Sequence, residues 1–154
     1  MKNSDEEYYV FLKACENDFR VALKSFSFVD KQEFGFHQLV YLRDAVISYG
    51  RPFSGNRGVH KKVLRLDDDL IPSEFREIHL YAISLRDTLF AHSDIQARKP
   101  ELLVLGHEEN EVFVNDNESI YLTDVKSKLV NFPRLVEEAG ESIESRLKVS
   151  VKNL

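Results

Sequence analysis

The residues best equipped for chemistry stand in one short stretch, Arg86-Asp87-Thr88-Leu89-Phe90-Ala91-His92. A permanently charged guanidinium, a carboxylate beside it and an imidazole six residues on can together hold an oxyanion and move a proton. The imidazole acts as a base when neutral and as an acid when charged, and the guanidinium offers paired donors to an anionic oxygen. None of this chemistry requires a metal. The five histidines, at 37, 60, 79, 92 and 107, show no His-x3-His or HExxH spacing, and Cys15 is the sole cysteine. No glycine-rich stretch matches a phosphate-binding loop or a dinucleotide fingerprint, and Gly55-Asn56-Arg57-Gly58 is too short to count as one. We therefore expect neither a metal site nor a cofactor.

A second group is basic. Arg51, Arg57, Lys61, Lys62 and Arg65 fall within residues 51–65, which contain no acid, and Asp67-Asp68-Asp69 follows them. This segment reads either as a solvated loop neutralised by its own aspartates or as a strip that contacts phosphates.

The elements that must position these groups follow from hydrophobic spacing. Ser4-Asp5-Glu6-Glu7 has the form of a capping box, and Phe11, Cys15, Phe19, Ala22 and Phe26 behind it predict a helix over about 5–28. Phe36, Leu39, Val40, Val46 and Ile47 predict a second over 33–49, with Gly50 as a left-handed cap and Pro52 beyond it. Residues 51–70 have no clean period and predict a long loop. Ser73 is the expected N-cap of a third helix carrying Phe75, Ile78, Ala82, Leu85 and Leu89 and ending near His92. Leu102 to Leu105 and Val112 to Val114 predict a small hairpin, over about 101–115, turning through Gly106 to Asn110. From Thr123 the pattern is helical to the chain end, with Pro133 expected to kink it or split it at Asn131. The expectation is a single domain over 1–154, mainly α: a bundle of four main helices with a hairpin before the last.

On the third helix, at about 100° per residue, His92 falls about 20° from Leu85, on the apolar side, and about 120° from Arg86. One straight helix does not bring Arg86 and His92 together. They converge through the reach of Arg86, a loosened last turn, or a second copy of the helix. The plain alternative is a histidine settled against the helix dipole and an arginine covering apolar surface.

The bulk composition limits the function classes. The chain has 154 residues, 43% of them hydrophobic and 31% charged, with no apolar run long enough to span a bilayer. A formal net charge of -5 argues against a broad, non-specific grip on nucleic acid, so any such contact must be local. MKNSDEEYY has no apolar stretch of the kind a secretory signal needs, and a lone cysteine fits a reducing compartment, so a soluble cytoplasmic protein is expected. On its helical pattern Cys15 reads as a small core residue.

The setting SLRDTLFAHSD resembles the Arg-x(4 to 6)-His motif of the HEPN superfamily, with a polar residue after the Arg and a small residue before the His. The segment YLRDAVISYGRPFSGNRG is also similar to abortive-infection-type and uncharacterised bacterial HEPN proteins, and the resemblance spans about residues 5–147. It implies a metal-independent endoribonuclease, toxin-like and acting in phage defence or stress, or a catalytically silent scaffold that binds RNA or a protein partner. It further implies a homodimer that sets two Arg/His pairs across a cleft, with an antitoxin as a candidate partner. Arg86 and His92 become the catalytic pair and Asp87 the supporting polar residue, where many members carry Asn. A carboxylate there repels a scissile phosphate unless it orients Arg86 or His92. RNA cleavage by the substrate's own 2′-hydroxyl is the reaction this implies, with Arg51, Arg57, Lys61, Lys62 and Arg65 as backbone contacts. Members paired with a nucleotidyltransferase antitoxin carry a modifiable Tyr two residues after the His. Here Asp94 stands at that place, so adenylylation there is not expected.

Overall fold

Phe11, Cys15, Phe19 and Ala22 recur every three or four residues because they face one way on a helix. That helix, α1 (Ser4–Val29), buries all four. The computed structural model describes residues 4–33, 35–59, 63–90, 101–105, 111–115 and 118–153. Ser4 lies inside α1 as its first residue rather than ahead of it as a cap.

Helix α2 (Gly35–Gly50) packs along α1 and buries Leu42, Ala45, Val46 and Tyr49. The stripe expected from the sequence merged two faces of this helix. Phe36 and Val40 stand about 120° and 160° around the axis from Leu42, and they are 64% and 48% exposed. Gly50 also departs from expectation. Its φ of -79° and ψ of -18° are right-handed, and the chain runs on into a 3-10 turn at Arg51–Phe53 instead of stopping at a left-handed cap.

Residues 51–70 are not a featureless loop. After that 3-10 turn, β1 (Asn56–Arg57) pairs antiparallel with β2 (Val63–Leu64), with Asn56 opposite Leu64 and Arg57 opposite Val63. The Leu66 amide donates to the Pro52 carbonyl (2.8 Å), closing the excursion at its base, and the Leu66 side chain is fully buried. A 3-10 turn at Asp68–Leu70 carries two of the three aspartates.

Ser73 is the first residue of a 3-10 turn, Ser73–Phe75, and Phe75 holds the N-cap position of the helix that follows, so Ser73 is not the expected N-cap. Helix α3 (Arg76–Leu85) follows and opens into one π-helical turn, Arg86–Phe90. The hairpin forms as anticipated: β3 (Glu101–Leu105) pairs with β4 (Glu111–Asn115), Leu103 opposite Phe113. The final helical stretch starts earlier than Thr123 and is broken in two, as Pro133 requires. Helix α4 (Glu118–Lys128) ends at a turn, and α5 (Phe132–Ser150) starts with Pro133 in its first turn, where a missing amide costs nothing. Among the described residues the bundle thus has five helices, because the expected fourth is two.

Helix α1 lies between α2 and α5, and α3 touches both α2 and α5. Their shared interior is aromatic near the candidate site. The Tyr49 ring meets Phe19 (5.8 Å between centroids), Phe53 (5.4 Å) and Phe132 (5.3 Å), and Phe26 meets Phe132 (5.1 Å). Cys15 is part of this core, and burial pushes its thiol up to about 12, which keeps it protonated and unreactive. No helix among the described residues is long and apolar enough to cross a membrane.

Candidate functional site

Arg86 opens the π-helical turn, where each ring encloses one more residue than in an α-helix and the side chains leave their α-helical directions. Thr88 Oγ1 donates to the Ser84 carbonyl (2.8 Å), the kind of back-bonding that loosens and bends a helix. From this turn the Arg86 side chain runs back to the end of α2. Its Nη1 donates to the Gly50 carbonyl and to Ser54 Oγ. Its Nε and Nη2 donate to one oxygen of Asp87 (2.8 and 2.5 Å). Ser54 Oγ in turn donates to the Gly50 carbonyl (3.1 Å), so α2, the 51–70 segment and the π turn meet on one guanidinium.

That junction explains Gly50. A Cβ there would lie 2.5 Å from Arg86 Cδ and 3.1 Å from Nη1, so glycine is needed for close approach and not for backbone conformation. The Arg86 side chain is only 14% exposed, while Asp87 is 52% exposed. Of the five N–H groups of the guanidinium, these bonds engage four, leaving one on Nη2 without an acceptor among the described residues. Asp87 therefore faces Arg86 and holds its guanidinium. His92 lies outside the described residues. Leu85 is buried in the core (6% exposed), so the apolar side on which His92 was placed is already covered at that level within one chain.

The basic segment divides into three parts. Arg51 pairs with Asp18 (3.3 Å) and Arg65 with Asp68 (3.8 Å), so two of its charges are met by the chain's own acids. Arg57 is exposed on β1 and makes no ion pair among the described residues. Lys61 and Lys62 lie outside them.

Two positioning residues escaped the sequence reading. Glu7 is almost fully buried (3% exposed) and accepts the Val59 amide, while a Cβ at Gly58 would fall on the Glu7 carboxylate. The carboxylate thus holds the far end of the segment whose near end Arg86 holds. Its signal was its place four residues before Phe11 on the apolar stripe, where a charge is rarely buried without a partner.

The other is His79, fully buried on α3. Its Nδ1 lies 2.7 Å from the Tyr49 hydroxyl, its ring edge meets Phe53 (4.7 Å), and Nε2 lies 3.3 Å from Asp68 Oδ1, out of line for a hydrogen bond. Burial raises the Tyr49 hydroxyl far above its ordinary range, so it stays protonated and donates to Nδ1, which leaves the ring proton on Nε2 facing Asp68. Burial also lowers the His79 pKa, with Arg76 adding to that effect and Asp68 opposing it. His79 is a neutral core histidine tying the 68–70 turn to the interior. No group of three or more metal-ligating side chains occurs among the described residues. No family model matches the chain, and neither the curated proteins nor the solved structures provide a match.

Proposed function

We propose that this protein is a metal-independent endoribonuclease of the HEPN kind, cleaving RNA through attack by the substrate's 2′-hydroxyl in a cleft between two copies. The observation that carries the reading is the fixed orientation of Arg86. Asp87, Ser54 and the Gly50 carbonyl hold the guanidinium on a π-helical turn, a feature found frequently at functional sites. The remaining Nη2 proton is a preorganised donor for a phosphorane oxygen, and His92, six residues on, takes the hydroxyl proton or returns one to the leaving oxygen. Arg57, Lys61 and Lys62 supply the backbone contacts, Arg51 and Arg65 being paired internally. The resemblance extends the role to toxin-like action in phage defence or stress, restrained by an antitoxin.

A second reading rests on the same guanidinium. With four of its five N–H groups on the chain's own acceptors, Arg86 also suits a silent scaffold in which it serves as a structural clamp, and RNA or a protein partner binds without being cut. The two readings separate on the product. We expect purified protein to cleave RNA in the presence of a chelator and leave a 2′,3′-cyclic phosphate or its hydrolysis product, and to spare a strand with a single 2′-deoxynucleotide at the cleavage position. Binding without cleavage of the all-ribose strand selects the scaffold.

A further inference from the structure

Helix α2 packs against α1 on one side and against α3 and α4 on another, and a third face stays open. At about 100° per residue, positions seven apart drift by only about 20° around a helix. Phe36, Arg43 and Gly50 therefore form one row along α2, spread over about 40°. One end of this row is already at the candidate site. A Cβ on Gly50 would run into Arg86 Cδ, so Arg86 lies in the direction in which the row points.

The other two members of the row are open. Phe36 is 64% exposed, and the ring it meets among the described residues is that of His37 (5.9 Å between centroids). Arg43 is exposed and makes no ion pair or hydrogen bond among the described residues. Val40 and Ile47 stand about 40° to the side of Phe36 and Arg43 and widen the row into an apolar strip, Val40 exposed and Ile47 half-buried. The sole acid of α2, Asp44, is turned toward α1, where Ser25 donates to it (2.5 Å). No carboxylate of its own helix competes for Arg43.

An exposed phenylalanine by itself calls for no explanation. In line with an unpaired guanidinium and the Arg86 clamp it has one, because ring and cations in a row match the bases and phosphates of a single nucleic-acid strand. Arg43 lies about 10 Å and Phe36 about 21 Å along the axis from Gly50. A stacked strand advances about 3.4 Å per nucleotide, so these positions are about three and about six nucleotides from a phosphate at Arg86, and fewer where the strand is splayed. A duplex keeps its base faces covered, whereas an unpaired base can lie flat on a ring.

We propose that this row is a subsite for an unpaired strand of the RNA substrate: Phe36 stacks a base within about six nucleotides of the scissile phosphate, and Arg43 holds a phosphate between them. The inference rests on the RNA chemistry proposed for Arg86 and adds to it a requirement for single-stranded substrate.

The chain has no tryptophan, so Phe36→Trp places a single indole on the row as a reporter. Phe36 and Arg43 are exposed, and melting temperatures near the parent's check that the variants fold. A labelled 2′-O-methyl oligonucleotide, which lacks the attacking hydroxyl, separates binding, read by anisotropy, from cleavage. Single-stranded, it is expected to bind and to quench the indole saturably. Annealed to its complement, it should leave the emission unchanged. Phe36→Ala should weaken single-strand binding by at least about fivefold, the low end for one base on an aromatic ring. Arg43→Ala should lower the salt slope by about 0.7, one phosphate contact on a single strand. A strand that binds the Trp variant without quenching it, quenching by the duplex, or unchanged affinity in Phe36→Ala overturns the subsite while leaving cleavage at Arg86 standing. A strand that does not bind at all overturns it together with the RNA reading. Emission that shifts with protein concentration before any RNA is added also overturns it, by assigning the face to a protein contact.

Discussion

At the scale of single residues, Gly50 and Arg86 are one fitted pair. The Cβ of Gly50→Ala meets the Arg86 stem, so this substitution should lower stability by about 1–3 kcal/mol in chemical denaturation, the usual range for overpacking. A midpoint within error of the parent would mean the two elements are not held so closely. Arg86→Ala is expected to cost about 2 kcal/mol, because it strips a charged donor from the Gly50 carbonyl, Ser54 and Asp87. That alters the weight of the two candidate catalytic residues: Arg86 is part of the scaffold as well as of the candidate site, and a loss of activity on its removal says little without a stability measurement. His79 makes a pH prediction. Its folded pKa is lowered, so the unfolded chain binds a proton more readily. Stability is full above about pH 6.5, the unfolded value, and falls as pH drops toward the lower folded one. His79→Gln, which cannot titrate, should flatten that acid limb of the melting curve. Equal slopes in parent and variant would assign the acid loss to other groups.

Among the elements, the 51–70 segment is the least regular and the most firmly pinned at named points. Glu7 holds residues 58–59, Arg86 holds Ser54, and Leu66 closes on Pro52. Glu7→Ala should therefore raise amide exchange at Val63 and Leu66 well before global unfolding, while Glu7→Gln, which keeps an oxygen acceptor, should do so less. Unchanged exchange in Glu7→Ala would show that the carboxylate is not the latch. The helices here were legible because their apolar residues recur at helical spacing, and Pro133 announced its break by chemistry alone. The hairpin was legible from two short Val/Leu runs around a turn. The segment was not, since what orders it is a buried carboxylate and a guanidinium reaching from elements 52 and 32 residues away in sequence. Phe36 and Val40 misled for a related reason: several apolar residues on α2 do not say which face the neighbouring helices cover. The π turn left no periodic trace either. Arg86 and Asp87 were found by residue type, while their mutual orientation and the role of Gly50 needed coordinates.

At the scale of the whole molecule, the described residues form a bundle of five helices with an inserted hairpin, and the chain is acidic overall, with a basic segment partly neutralised by Asp18 and Asp68. Charge of this distribution suits a local hold on RNA rather than a broad one. If the segment contacts phosphates, Arg57→Glu should weaken RNA binding across sequences and lower the salt slope by about one unit. An unchanged slope would return the segment to a solvated connection. The central claim is that His92 performs acid-base chemistry on RNA without metal, and it is tested most directly by incubating parent and His92→Ala protein with RNA in EDTA and comparing initial rates. The account predicts a metal-independent parent activity that falls by at least about a hundredfold in His92→Ala, with the two melting temperatures alike. Cleavage that persists in the variant, or that the chelator abolishes in the parent, would contradict it.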